Sequence, residues 1–381
     1  MIRQTKYGTW QFTIEEGVGV DENGKPRRIR KWYGGYPTKK EAKRAEVEEL
    51  GLRGRGESVE RSKITLGTFL LNEWLPAIKG EVAPSTFVNY RGQVESYVIP
   101  ALGHRPIQDI RPAEISKLYS DLQETGRKQG EGGLSKTSTR NVGIVLGRAL
   151  ETAVDWGYLI ANPAKKAKKP TREPREMRIW TPEQVKAFLQ FERDTREYPI
   201  WRLALYTGAR RGEILGLSWD GVDLDAGRLS IYQSLNNVDN QPMLRKTTKT
   251  KSGRRLIALD DDTVTDLREH RRCQNEERLL AGPLWNNEHN LVFVDQVGHL
   301  IKPERITRIF NSRVKAAALP RIRLHDCRHS FASNALRAGV NVKVLSERLG
   351  HNDITTTLSI YAHTIPSQDE EVAAVVAAIY A

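Results

Sequence analysis

Residues 325–361 read HDCRHSFASNALRAGVNVKVLSERLGHNDITTTLSIY, and the character of the C-terminal half turns on them. A helix beginning near His325 places His325, Arg328 and His329 on one face, because positions three and four apart are neighbours on a helix. A second helical pattern starts at Val342 and runs into Leu349-Gly-His351, and Tyr361 follows ten residues later. Taken singly, each of these signals is weak. A tyrosine at helical spacing is ordinarily a packing residue. Two histidines at i, i+4 suggest zinc, but the metalloprotease pattern needs Glu after the first His, and Asp326 stands there. Arg328 on the same face would repel a dication, and no cysteine pair or third ligand clusters with the histidines.

Upstream lie two further elements. Thr207-Gly-Ala-Arg210-Arg-Gly-Glu213 ends a helical run, Ile200–Leu205, and Lys249-Thr-Lys251-Ser-Gly-Arg-Arg precedes a strand-like run, Arg254–Leu259. Leu229–Gln233 reads as another strand, and Pro303 opens another helix. Trp180-Thr-Pro-Glu183 starts the first helix of this region, with Thr181 as N-cap and Pro182 at the first helical position. An Arg after Thr-Gly is by itself as consistent with a cap or an ion pair as with a catalytic role.

The bulk properties narrow the partner. The chain has 381 residues, enough for two or three domains, with 60 Lys and Arg against 47 Asp and Glu, a formal net charge of +13. Such an excess suits a polyanion, whose condensed counterions are released by Lys and Arg. A membrane surface would attract the same charge, but no run approaches the ~20 apolar residues of a spanning helix, and the first ten residues lack the apolar core of a signal peptide. Cys273 and Cys327 form no framework, which fits a reducing cytoplasm.

The N-terminal half reads as two modules and a linker. In residues 1–60, Trp10, Phe12 and Ile14 alternate with polar neighbours, Asp21-Glu-Asn-Gly24 signals a turn, and Arg27–Tyr33 gives a further strand. Thr38-Lys-Lys-Glu41 is a capping box opening a helix to about Leu52. Arg27, Arg28, Arg30 and Lys31 interleave with Trp32 and Tyr33, a pattern that serves equally as a solvated strand face or as a DNA contact. A small sheet of this kind is narrow enough for a major groove. Residues 64–162 are helical, with Val142, Leu146, Ala149, Leu150 and Ala153 spaced as a core stripe. Residues 163–175 hold Pro163, Pro170 and Pro174 with Lys165, Lys166, Lys168 and Lys169, predicting an extended basic linker able to follow phosphates. The fold class expected is therefore multidomain α+β: a small sheet with a helix, a helical bundle, and a mainly α domain over 176–381 with a small sheet.

Considered together, the four C-terminal elements resemble the catalytic domain of the tyrosine recombinase (phage integrase) family. That family orders an Arg in a Thr-Gly-x-Arg-x-x-Glu box, a hairpin Lys, His-x-x-Arg, Leu-Gly-His and a Tyr nine or ten residues on. The matching positions are Arg210, Lys249, His325, Arg328, His351 and Tyr361, and Lys251 rivals Lys249. The resemblance covers 176–381 closely and the preceding segments more loosely, where integrases carry a core-binding and often an arm-binding domain. It implies strand cutting and rejoining through a 3′-phosphotyrosine, for integrating or excising a phage or other mobile element.

The physical chemistry agrees with that assignment. Two guanidiniums, Arg210 and Arg328, can grip phosphate oxygens in a fork geometry that Lys cannot reproduce. The resemblance implies that Tyr361 attacks phosphorus, that His325 serves as general base or phosphate donor, that Lys249, or its rival Lys251, protonates the leaving 5′-oxygen, that His351 donates to the phosphate, and that Glu213 buttresses the basic groups. Neither a metal nor a nucleotide cofactor is implied. His329, Cys327 and Arg211 are expected to be structural, His329 as a packed or backbone-bonded histidine. The implied partners are duplex DNA bearing core and arm sites, a homotetramer on that DNA, and in some systems a host DNA-bending protein and an excisionase. The implied place is the bacterial cytoplasm, at the nucleoid. Rival readings are a non-catalytic DNA-binding regulator that kept the fold and a type IB topoisomerase. Val372, Val375, Val376, Ile379 and Tyr380 predict a C-terminal apolar helix, docked either on its own domain or on a neighbouring protomer.

Overall fold

The computed structural model describes residues 2–20, 26–54, 62–171, 177–246, 254–351, 353–361 and 377. The Asn-Gly turn, Lys249, Lys251 and the C-terminal apolar stripe lie outside the described residues, the exposed residue 377 apart. The chain divides into two compact units, Met1–Glu173 and Pro174–Ala381.

The first unit opens with an antiparallel sheet of strands β1 (Ile2–Gln4), β2 (Trp10–Val20) and β3 (Pro26–Tyr36), in that order. The predicted alternation is seen in β2, where Phe12 and Ile14 are buried and Phe12 stacks on Tyr33 at 4.9 Å. The helix Lys39–Gly54 is capped reciprocally: the Thr38 N–H donates to Glu41 Oε2 and the Glu41 N–H to Thr38 Oγ1, both at 3.2 Å.

Beyond it, helical turns run through 66–78 and 84–102, followed by the helices Pro112–Thr125 and Lys136–Asp155. Two wide π turns, Phe69–Trp74 and Val94–Val98, each sit just ahead of a proline, Pro76 and Pro100. A proline offers no N–H and crowds the carbonyl four residues back, so the ladder re-registers there without the helix breaking. Val142, Leu146, Ala149, Leu150 and Ala153 are all buried with Phe69, Trp74 and Leu118 in one core.

The basic segment departs from the extended form expected of it. Pro163–Lys165 closes a 3₁₀ turn capped by the Asn162 side chain, which accepts from the Ala164 N–H at 2.9 Å. Ala164 and Ala167 are buried in the helical core, and the Lys168 N–H donates to Ser116 Oγ at 3.0 Å. The two alanines supply the apolar anchor that counting prolines and lysines overlooks.

In the second unit the helix Pro182–Glu192 begins at Thr181, as expected, in a capping box with Gln184. The helix Tyr198–Thr207 ends at Gly208, whose φ is +65°; a Cβ there would meet Phe331 at 2.6 Å. Strands β4 (Val222–Asp223), β5 (Arg228–Ile231) and β8 (Arg255–Ala258) form one antiparallel sheet, while β6 (Gln233–Val238) and β7 (Gln241–Lys246) pair as a hairpin. The expected strand Leu229–Gln233 is thus split at Tyr232 between two sheets. The hairpin turns at Asp239 and Asn240, both with positive φ, the geometry a two-residue turn demands.

The helix Asp261–Ala281 is capped by Asp260, whose side chain accepts from the Thr263 N–H at 3.0 Å, but it lacks a clear apolar stripe. Its inner face buries Thr263, Asp266, His270 and Gln274 beside Leu267, so polar partners replace the apolar stripe. Asp266 pairs with Arg193 at 2.6 Å, and Gln274 bonds to the Trp219 indole and the Val292 carbonyl. The core itself centres on Trp180, Phe188, Trp201 and Phe310. Helices Pro303–Ala316, Asp326–Arg337, Val342–Leu349 and Ile354–Tyr361 complete the unit. No described helix is long and apolar enough to cross a membrane.

Candidate active site

Two left-handed helix ends build the site. Gly208 and Gly350 (φ +67°) terminate Tyr198–Thr207 and Val342–Leu349, and each leaves carbonyls turned toward one point. The Arg328 guanidinium fills that point. Its Nη1 donates to the Gly208 carbonyl at 2.8 Å and its Nη2 to the Leu349 carbonyl at 2.7 Å. These two bonds join the Thr-Gly-Ala-Arg and Leu-Gly-His segments through the His-x-x-Arg helix. Arg328 is buried, and no carboxylate of the described residues lies within ion-pair distance of it. Burial first, then the charges of Arg210 and Arg255, draw its pKa down to about 10.

Arg210 stands at the N-terminus of Arg211–Leu215, next to Ala209, and donates from Nη2 to the Gly350 carbonyl at 3.3 Å. Glu213 holds it from two sides, accepting from the Arg210 backbone N–H at 2.8 Å and from Nη1 at 2.9 Å. The same carboxylate accepts from Arg255 Nη1 at 3.1 Å and Nη2 at 2.7 Å. Arg255 Nε then reaches the Arg348 carbonyl at 2.8 Å. Burial opposes the charge on Glu213, but hydrogen bonds and charge from Arg255, with Arg210 behind them, hold its pKa down to about 2. One carboxylate therefore faces three guanidiniums, which leaves the cluster in surplus positive charge.

The histidines respond to that surplus. His325 begins the helix Asp326–Arg337 and is exposed, yet desolvation by the surrounding protein and then Arg328 lower its pKa. His351 is half-buried; desolvation, Arg328 and Arg210 take it to about 4. Its Nδ1 lies 2.7 Å from the Thr357 hydroxyl, so the ring orientation is fixed by the nitrogen that faces the helix Ile354–Tyr361.

Tyr361 is fully buried, its ring among Ala332, Leu336, Leu345 and Leu349. Burial raises its pKa to about 12, with Arg328 acting against the rise. Its hydroxyl lies 2.7 Å from Nδ1 of His329. His329, expected as a packed or backbone-bonded histidine, is therefore bonded to a side chain at the heart of the site, and its ring stands edge-on to His325 at 5.2 Å between centroids. The spacing that put it beside Arg328 was visible in the sequence; its partner 32 residues on was not. Arg255 was overlooked too, although it shares a strand face with the buried Ile257 on β8, so a period-two count would have turned it inward. Cys327 is buried and Arg211 bonds to Thr307 Oγ1 at 2.7 Å and pairs with Glu304.

The expected DNA contacts are scattered. Arg27, Arg28, Arg30 and Lys31 lie on β3, where exposed Trp32 carries the Arg3 guanidinium 4.0 Å above its ring. Lys165, Lys166, Lys168 and Lys169 are exposed, and Lys165 pairs with Glu151 at 2.6 Å.

The phage integrase family matches residues 178–368, the phage integrase N-terminal SAM-like domain matches 65–123, and an Arm DNA-binding domain matches 1–49. The chain is 30% identical to a "Tyrosine recombinase XerC-like" protein of Caldanaerobacter subterraneus subsp. tengcongensis, over 97% of each chain. It is 27% identical to the ICEBs1 integrase of Bacillus subtilis, covering 95% of this chain and 96% of that one. Its fold is similar to the Tn1549 transposon integrase in complex with transposon right end DNA, with a TM-score of 0.66, 22% identity, 83% of this chain and 100% of that one. The lambda integrase tetramer bound to a Holliday junction is similar at a TM-score of 0.57 and 15% identity, covering 94% of each. The chain belongs to the phage integrase family of tyrosine recombinases. It is thus a site-specific recombinase, an enzyme that cuts and rejoins DNA strands, and the phosphotyrosine mechanism is general to its family.

Proposed function

We propose that the chain is the integrase of a mobile element and that Tyr361 is the residue it links to the 3′ end of cut DNA. The single observation that carries this reading is the convergence of Arg210, buried Arg328 and the Tyr361 hydroxyl around two helix ends. A cluster of three guanidiniums and one carboxylate wants an anion, and a phosphodiester supplies it. Arg210 spends part of its donor set on Glu213 and the Gly350 carbonyl, and Arg328 on the Gly208 and Leu349 carbonyls; their remaining N–H groups serve the equatorial oxygens. His325 and His351, neutral at physiological pH, serve as hydrogen-bond donors to the same phosphate. Lys249 is the expected acid for the 5′-oxygen, with Lys251 as its rival. Glu213 keeps Arg210 and Arg255 in place.

In this reading residues 1–60 read arm sites, 64–162 hold core sites, 176–381 perform the chemistry, and 163–175 carry basic charge between the last two. The partner is duplex DNA, on which four copies assemble; a host DNA-bending protein and an excisionase are further partners in this class of reaction. The place is the bacterial cytoplasm, at the nucleoid.

The test is trapping on a nicked suicide duplex followed by mapping of the DNA-linked peptide. The expected peptide contains Tyr361, and Tyr361→Phe forms no adduct while still shifting the duplex in a gel. An adduct that survives denaturant in Tyr361→Phe sinks the assignment.

A further inference from the structure

We infer that His329 accepts the Tyr361 hydroxyl proton as the tyrosine attacks phosphorus, so that His329, and not His325, is the base of the cleavage step. The inference rests on Tyr361 being the nucleophile.

Three observations converge on it. The first is reach: His329 Nδ1 lies 2.7 Å from Tyr361 Oη, within the distance proton transfer requires. With the imidazole proton on Nε2, the tyrosine donates this bond and Nδ1 is the acceptor. The second is enclosure. Tyr361 is fully buried in an apolar cluster, so bulk water is not at hand to take the proton. The third is placement. His329 lies edge-on to His325 and one residue past Arg328, so its acceptor nitrogen sits at the border between the tyrosine and the phosphate-gripping groups.

The electrostatics suit a transfer that accompanies attack. The groups facing His329 are His325, Asp326, Arg328 and Arg323 from its own helix and the turn before it, Tyr361 from the last described helix, and His351 from the preceding loop. Desolvation, then His325, with Arg328 and Arg323, hold the imidazole at about 4, so it is neutral and able to accept. Tyr361 stands at about 12, and that gap forbids a free phenolate in the resting site. As the Oη–P bond forms, the phenolic oxygen becomes far more acidic. The negative charge growing on the phosphoryl oxygens also offsets Arg328, one of the charges that depress the imidazole.

The step balances. Tyr361 Oη gains its bond to phosphorus, the P–O5′ bond breaks, the phenolic proton passes to His329 Nδ1, and the 5′-oxygen takes a proton from the general acid. Religation runs the same path backward, with His329 returning the proton to the tyrosine.

The experiment measures single-turnover adduct formation by the full chain on a nicked suicide duplex, with gel-shift binding alongside. His329→Asn places an amide oxygen near the Nδ1 position, keeping the hydrogen bond but unable to carry a proton. It is expected to bind duplex normally and to form adduct about 100-fold more slowly. His329→Ala is expected to be equally slow and to be accelerated by free imidazole in proportion to its neutral fraction. Wild-type rates in His329→Asn would reduce the residue to a positioning partner and overturn the proposal. Faster cleavage in either variant would make the bond a restraint on the nucleophile and overturn it too, as would a His329→Ala that imidazole leaves unchanged. Tyr361→Phe, run in parallel, separates the two ideas. An adduct there removes the nucleophile assignment, whereas no adduct there with a full-rate His329→Asn removes only the assignment of the base.

Discussion

Arg255 and Glu213 meet as a forked ion pair, Nη2 to Oε2 at 2.7 Å and Nη1 to Oε1 at 3.1 Å, with both side chains almost wholly buried. The pair does two jobs at once. It joins β8 to the short helix that Arg210 caps, and it presents the carboxylate to Arg210 from behind. A buried carboxylate is costly alone, and here the two flanking guanidiniums make it tolerable.

Arg255→Ala should therefore damage folding and catalysis together. Removing one partner of a buried pair strands the other, and about 3–5 kcal/mol of stability is expected to go with it. Arg255→Lys should recover little, because one ammonium cannot serve both carboxylate oxygens and the Arg348 carbonyl. Urea unfolding of the two variants checks this; a Lys variant as stable as wild type would mean the fork geometry is irrelevant.

Acid should unfold the catalytic unit in two windows. His329 and His351 have folded pKa values near 4 against an ordinary 6.5. The unfolded chain thus binds protons first, and stability falls as pH drops from about 6.5 to 4. Glu213 is depressed from 4.5 to about 2, so its contribution, about 3 kcal/mol, is present above 4.5 and is lost as pH falls toward 2. Urea midpoints measured across pH should decline through both windows. Replacing His329 and His351 with Asn should flatten the upper one only, and an unchanged upper slope would remove the histidines as its source.

How much of this could be read in the sequence depends on how local each signal is. Arg210, His325, Arg328, His351 and Tyr361 lie in short boxes whose order survives on the page, and the helix periods around them are strong. The capping box at Thr38 and the N-cap at Thr181 were equally legible, since each is defined within one helical turn. What escaped depends on partners far along the chain. The helix Asp261–Ala281 hides because its buried face is polar and is satisfied by Arg193, Trp219 and Val292. His329 and Arg255 escaped because their meaning lies in contacts 32 and 42 residues away. The basic linker misled because charge and proline outweighed two small apolar anchors, Ala164 and Ala167.

The general acid can be separated from its neighbour chemically. Lys249 and Lys251 are two apart, so on a strand both would face the same way. Lys249→Ala is expected to slow cleavage severely and Lys251→Ala mildly. A duplex with a 5′-bridging sulfur has a leaving group that needs no proton, and it should restore the Lys249 variant to near the wild-type rate. Rescue of Lys251→Ala instead would exchange the two roles, and rescue of neither would take the lysines out of proton transfer.

Residues 1–60 should prove separable from cleavage. The three-stranded sheet has its own small core of Phe12, Ile14 and Ala42, and its exposed face carries the Arg3–Trp32 stack beside the basic strand Pro26–Tyr36. A cation held over an exposed indole is a surface suited to a phosphate backbone, and each such contact adds to salt-sensitive affinity. The hydrogen bonds described above for Arg210, Arg328, His351 and Tyr361 go to residues of the second unit. Deleting residues 1–60 is therefore expected to leave adduct formation on a core-site duplex at the wild-type rate. The same deletion should abolish binding to flanking arm-site DNA and with it recombination between full attachment sites. Arg3→Ala with Trp32→Ala in the full chain should weaken arm binding in the same direction and lower its salt dependence. If the truncated chain binds arm DNA as the full chain does, the sheet does not read DNA. If the double variant binds arm DNA normally at every salt concentration, the contact is made by some other face of the domain.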